Sequence, residues 1–266
     1  MVDHSPLWLR LVTACLTSTI VIFLIAPLLI VVGVSFTAGD YIAFPPQGLS
    51  LRWYAKILSE QVYTSSFAMS LWVACLVTVS ATAIGTAAAI ALHREVLPGS
   101  RAISGFFFAP IILPSIILGL GLLIVWSRVI GATSVLTVFV GHFVLALPYV
   151  IRTTLAVLTT SDPFLEEAAR TMGAGPWQSL WRVTVPQCAP GIAAGAFFAF
   201  NISFDEAVVS LFLRSPDIMT LPIQIYTQLE FSPDPSIAAV SSLMIGLTIV
   251  LIVLIERVVG LQKITE

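Results

Sequence analysis

Long apolar runs alternate along this chain with short polar breaks, and the length of the runs is the first thing that constrains the fold. Runs able to cross about 30 Å of hydrocarbon need roughly 20 residues of helix each, and they lie near 9–36, 67–92, 103–126, 132–155, 189–213 and 237–256. The pattern predicts an all-α integral membrane protein with about six transmembrane helices. The first run is too long for a signal peptide, and no small-residue cleavage site is evident after it, so it reads as a retained span.

The breaks carry their own local patterns. Gly39, Pro45, Pro46 and Gly48 mark a loop after the first span. Beyond Ser50, the residues Trp53, Tyr54, Ile57 and Leu58 share one face of a predicted helix lying at the membrane surface. Trp53 there either anchors the helix or serves an external gate or binding-protein contact. His93 to Arg101, with Pro98 and Gly99, reads as a cytoplasmic hairpin. Pro110 and Pro114 interrupt the third run, and backbone carbonyls freed by proline persist in lipid only where protein or a wet cavity satisfies them. This span is therefore expected to face the bundle interior. Ala81/Gly85 and Gly191/Gly195 have the spacing of close helix packing.

The main polar interruption is Glu167 to Pro186. Asp162 can cap a helix that Pro163 starts, with Phe164, Leu165, Ala168 and Met172 on its apolar stripe and Glu166, Glu167 and Arg170 off it. Gly173 and Gly175 offer left-handed backbone to end it, Pro176 begins a second short helix bearing Trp177, Leu180 and Trp181, and Pro186 is expected to halt the run. The prediction is a helix-turn-helix over about 160–188.

The fifth run contains Asn201, Asp205 and Glu206. A carboxylate near mid-bilayer costs about 2.5–3.5 kcal/mol on insertion scales, so an adjacent pair needs a wet cavity, a proton or a cation. In a continuous helix Asn201 and Asp205 face one way and Glu206 points about 100° round. Counting from Ala189, Asp205 stands about 24 Å along, in the outer half. Asp205 is then either a cation-lining group or an acid at the end of a shorter helix wetted from outside, and Glu206 lines the same site or packs on a partner subunit. His142, within the fourth span, has no evident ligand partner and reads as structural.

Composition and charge narrow the class. With 58% hydrophobic and 10% charged residues and a mean hydropathy of +1.02, a soluble domain has nowhere to put its apolar surface. Basic residues give orientation: with a cytoplasmic N-terminus, Arg10, Arg94, Arg101, Arg152, Arg170, Arg182, Arg257 and Lys263 fall inside and Arg52, Lys56, Arg128 and Arg214 outside, which favours both termini in the cytoplasm. No basic patch tracks nucleic acid. Cys15, Cys75 and Cys188 make neither a metal spacing nor an evident disulfide framework, and the three histidines make no metal site. The two lysines, Lys56 and Lys263, lie in no glycine-rich phosphate loop, and no nucleophile-and-base arrangement marks a catalytic residue.

Glu167-Ala168-Ala169, three residues to Gly173 and nine more to Val183-Thr184-Val185-Pro186 resemble the EAA signature of ABC importer membrane subunits, with Val for the usual Ile and Leu near its end. The resemblance implies a type I importer permease fold, a single permease domain over 1–266, in which this helix pair is the coupling loop docked on an ATPase subunit. The coupling residues would be Glu166, Glu167, Ala168, Ala169, Gly173 and Pro186. The stretches Ile202 to Phe212, Thr220-Leu221-Pro222, Asp234 to Ala239 and Arg52-Trp53-Tyr54 are similar to the second membrane subunit of spermidine/putrescine-type permeases. That likeness implies a polyamine path using Asn201, Asp205, Glu206, Ser115 and Trp53. It also implies a second permease, two ATPase subunits that bind ATP and Mg, an external binding protein, no cofactor in this chain, and the bacterial inner membrane. One departure stands out: Ser115 follows Pro114 where polyamine members tend to carry an acid, which leaves another small nitrogen-containing or zwitterionic solute open. A self-sufficient secondary transporter shares the spans and acids and lacks the need for a docking loop.

Overall fold

A computed structural model of the chain describes residues 6–94, 99–131, 133–162, 164–215 and 218–259. Among these the regular structure is helical, with isolated bridges at Thr37–Leu49 and Ser215–Ile218. Five helices are long and apolar enough to cross a bilayer, and a bent pair makes a sixth crossing if it is counted as one span. The long helices are α1 (Leu7–Ser35), α3 (Gln61–His93), α6 (Val135–Leu158), α9 (Val185–Phe204) and α12 (Ser236–Val259); the bent pair is α4 (Ser100–Ile112) and α5 (Ser115–Val129). Shorter helices are α2 (Arg52–Ser59), α7 (Phe164–Thr171), α8 (Pro176–Ser179), α10 (Val208–Leu213) and α11 (Leu221–Phe231).

The chain divides into two compact units, the first made of the described residues of Met1–Gln61 and Thr227–Leu247. In it, Trp53 and Ile57 form the buried side of α2, whereas Leu58 is 69% exposed. The four-residue face read from the sequence is thus narrower by one, because Leu58 falls one step round the helix from Ile57. Tyr54 shares its hydroxyl with Ser35 and Ser242, each at 2.7 Å. Lys56 Nζ donates to Asp234 Oδ2 at 2.7 Å, and Asp234 accepts from the backbone N–H of Ser236 at 2.9 Å and from its hydroxyl, so one carboxylate joins α2 to the first turn of α12.

The second unit holds the described residues of Val62–Tyr226 and Thr248–Glu266. Its core is α6 laid against α9 and α3. A Cβ at Gly191 would stand 2.6 Å from the Thr153 carbonyl oxygen, and one at Gly195 would stand 2.9 Å from Val150 Cα, so backbone meets backbone there as the small-residue spacing predicts. Val73, Val77, Val138, Ala146, Val150, Ala199, Val209 and Leu213 fill the remaining space.

Proline shapes both ends of this unit. At Leu113 and Pro114 the backbone turns extended, and α4 and α5 meet at 105° rather than continuing as one interrupted helix. The residue before a proline is pushed out of the helical region, which suits Leu113 to that turn. Pro186, by contrast, does not halt the run: Leu180–Thr184 forms a π-helical turn, and the helix continues from Pro176 to Phe204. In a regular α-helix the proline ring would meet the carbonyl four residues back, and the wider turn just before Pro186 gives it room. The expected fifth span near 189–213 is corrected too, since α9 stops at Phe204.

Candidate functional site

The stop at Phe204 builds the first of two candidate sites in the second unit. Asp205 is the C-cap residue of α9, with φ −100° and ψ 3°, and α10 begins three residues later. Asp205 and Glu206 therefore occupy a turn between two helices and not mid-helix positions, the shorter-helix alternative read from the sequence. Together with the α4–α5 bend and one face of α6 they border a cavity of about 380 Å³, whose wall includes Ser115, Leu145, Tyr149, Asn201 and Ile202. Among the described residues, no Lys, Arg or His stands on that wall.

The polar groups around it are differently committed. Glu206 Oε1 accepts the Val209 backbone N–H at 2.9 Å, so this carboxylate caps the first turn of α10. Asn201 Nδ2 donates to the Phe197 carbonyl at 2.9 Å, and its Oδ1 accepts from Thr248 Oγ1 at 3.2 Å. Asp205 is exposed and has no hydrogen-bond partner among the described residues. The structure thus brings Asn201, Asp205, Glu206 and Ser115 together; Trp53 belongs to the other unit, buried beneath Arg52 at 4.5 Å and Lys56 at 5.3 Å from its ring centroid. Sequence reasoning missed Tyr149. Its signal was a position seven residues after His142 and four after Leu145 on one helical face.

His142 is 1% exposed, and each ring nitrogen has a serine hydroxyl: Nδ1 with Ser203 at 2.9 Å and Nε2 with Ser210 at 2.7 Å. Its structural reading gains partners that lie far along the chain.

The second site is the helix pair. Asp162 Oδ1 accepts the Phe164 N–H at 2.9 Å as the predicted cap, and Pro163 lies outside the described residues. Gly173, at φ +92°, ends α7 with its N–H on the Arg170 carbonyl. Gly175 is extended at φ −69°, so the left-handed backbone expected there is confined to Gly173. The apolar stripe faces out: Phe164, Leu165, Met172, Trp177 and Trp181 are all at least half exposed, while Ala169 is buried and Ala168 is not. Glu166 turns inward. Its carboxylate accepts from Arg94 Nη2 at 3.0 Å on both oxygens, from Arg170 Nη2 at 2.8 Å and from Thr184 Oγ1 at 3.2 Å. Glu167 is exposed beside it, and a cleft of about 420 Å³ bordered by His93, Arg94, Asp162, Glu166 and Arg170 lies behind.

Known proteins share this organisation. Residues 81–264 match the family described as binding-protein-dependent transport system inner membrane component. The chain is 31% identical over 233 residues to the putrescine transport system permease protein PotI of Escherichia coli K12, covering 84% of this chain and 82% of that protein. It is 27% identical over 244 residues to the spermidine/putrescine transport system permease protein PotC of the same organism, covering 92% of each. Among solved structures, a chain of a bacterial alginate ABC transporter in complex with its pentasaccharide-bound periplasmic protein superposes with a TM-score of 0.69 at 16% identity, over 93% of each chain. Several helices long enough to cross a bilayer, a broken span, an outward apolar helix pair and these relatives lead to one assignment: the chain belongs to the binding-protein-dependent transport system inner membrane components, the multi-pass permease subunits of ABC importers.

Proposed function

We propose that this chain lines, together with a second permease, the passage of an ATP-driven importer for small organic cations of the polyamine type. The observation that carries the reading is the cavity at the Asp205 turn, with two carboxylates, an aromatic ring and, among the described residues, no basic side chain on its wall. Such a lining favours an ammonium group over an anion, and a ring face adds about 0.5–2 kcal/mol to a cation placed over it. The relatives named for putrescine and spermidine support the same solute class. Asp205 is the attracting group, Glu206 adds charge while capping α10, and Asn201 and Ser115 supply neutral contacts. Trp53, buried beneath Arg52 and Lys56, would serve by seating α2, whose exposed side would meet a binding protein.

Coupling runs through the helix pair. One of two ATPase subunits, which bind the ATP and Mg, receives the outward face of α7 and α8; Glu167 makes the charged contact, Ala168 and Ala169 allow close approach, Gly173 sets the turn, and Glu166 and Pro186 fix how the pair joins the spans. Closure of the ATPase subunits moves the pair, and the spans alternate between inward-facing and outward-facing arrangements. The excess of basic residues on one side supports both termini lying in the cytoplasm of a cell whose inner membrane holds the complex.

The test is uptake of labelled putrescine and spermidine by cells lacking their own polyamine importers, supplied with this chain and its co-encoded partners, with and without Asp205→Asn. Uptake that disappears in the variant at unchanged membrane level supports the reading. No uptake by an intact, ATPase-competent complex overturns the polyamine assignment and favours a zwitterionic or singly charged nitrogen compound, the alternative to which the neutral Ser115 points. Transport by the chain purified free of any ATPase subunit would instead reveal a secondary transporter.

A further inference from the structure

We infer that His142 is a positioning residue for this passage: it staples the two sides of the Asp205–Glu206 turn and so fixes where those carboxylates stand. The inference rests on the cavity being the passage, and it adds a residue that does not touch the cavity. Helix α9 ends at Phe204 and α10 begins at Val208. Ser203 lies just before that break and Ser210 just after it, both about as buried as His142 itself. One imidazole on α6 holds both hydroxyls, at 2.9 and 2.7 Å. A neutral imidazole has one N–H and one lone pair, and a serine hydroxyl can donate or accept, so either tautomer satisfies both contacts.

Two further features tie the staple to the turn. Glu206 stays on the Val209 N–H only while the chain between the serines keeps its course. His142, Leu145 and Tyr149 also share one face of α6, and the last two are cavity wall, so the staple and the wall are one rigid surface. A buried polar network of this kind is costly to leave half satisfied, and neither serine hydroxyl has another hydrogen-bond partner among the described residues. Releasing it lets the turn sample other courses and carries Asp205 away from its place.

The experiment uses the assembled importer in proteoliposomes with its binding protein at saturation. Apparent affinity is then set outside this chain, so the readout is labelled putrescine taken up per ATP hydrolysed. His142→Leu and the double variant Ser203→Ala/Ser210→Ala are each expected to lower that ratio about tenfold, the worth of one to two hydrogen bonds, with basal ATP hydrolysis and membrane level unchanged. His142→Gln, which keeps a donor and an acceptor, is expected to restore most of it. An unchanged ratio in both the leucine and the double variant overturns the inference; if the leucine variant does not assemble, the double variant decides alone.

A solute-independent measurement separates this from failure of the passage itself. In a chain with Cys15, Cys75 and Cys188 replaced by alanine, Asp205→Cys introduces a thiol whose reaction rate with a cationic methanethiosulfonate reports the course of the turn. A rate altered about tenfold by the double serine variant supports the staple even where putrescine proves not to be carried. A rate unchanged by that variant and by His142→Leu overturns it.

Discussion

Glu166 and Arg94, 72 residues apart in sequence, meet with both carboxylate oxygens 3.0 Å from one guanidinium nitrogen. The pair binds α7 to the end of α3, and Thr184 extends the same cluster to the π-helical turn that leads into α9. Both side chains are about a quarter to a third exposed, so solvent screens them. A double-mutant cycle of Arg94→Met and Glu166→Gln, read by thermal unfolding of the purified complex, is expected to give a coupling energy of about 0.5–1 kcal/mol. Glu167→Lys, on the exposed neighbour, is expected to leave that stability alone and to abolish uptake with the chain still in the membrane.

The two adjacent acids at the α9–α10 turn are predicted to fail differently. Glu206→Gln weakens a helix cap and is expected to cost about 0.5–1 kcal/mol of stability. Asp205→Asn removes a charge with no partner among the described residues, so its unfolding temperature is expected to match that of the unaltered chain while uptake falls.

Asp234 is the group outside the spans for which pH dependence follows. Burial pushes its carboxyl up, but hydrogen bonds from Lys56 and Ser236 and the lysine charge outweigh it and hold the group below the usual carboxylate range. A carboxyl whose folded pKa is depressed contributes stability that is present above its unfolded pKa and is lost as pH falls through the folded value. The difference in unfolding temperature between the unaltered chain and Lys56→Met is therefore expected to be full at neutral pH and to shrink as pH drops below the ordinary carboxylate pKa of about 3.8. A difference that grows on acidification would contradict the assignment.

Packing gives a prediction free of charge effects. Gly191→Ala puts a methyl 2.6 Å from the Thr153 carbonyl oxygen, and the resulting separation of α6 from α9 is expected to cost about 1–3 kcal/mol. Gly121→Ala, in α5 with nothing within 4 Å of the added atom, is expected to be neutral or to stabilise by up to about 1 kcal/mol through helix propensity. Unfolding of the two variants side by side measures the contrast.

Much of this fold could be read from the residues because its causes are local. Apolar length marks the spans, the small residues at 191 and 195 mark the α6–α9 contact, and Asp162 and Gly173 mark where α7 starts and ends. What escaped reading depends on partners distant in sequence or on backbone options that residue type leaves open. Pro186 is a terminator by propensity, and only the π-helical turn ahead of it reverses that. Glu166 and Glu167 look alike in sequence, yet Arg94 draws one inward and leaves the other facing out. His142 looked solitary because its two serines come 61 and 68 residues later.

The unbroken helical run from Pro176 to Phe204 has a mechanical consequence. Its 29 residues make a lever about 43 Å long at 1.5 Å per residue, and a tilt of about 5° at its foot would sweep its tip through about 4 Å. The foot bears Trp177 and Trp181, and the tip abuts Asp205. On the proposed coupling, small rocking of the loop would become a displacement as large as an ammonium group at the carboxylates, less whatever the π-helical turn at Leu180–Thr184 absorbs.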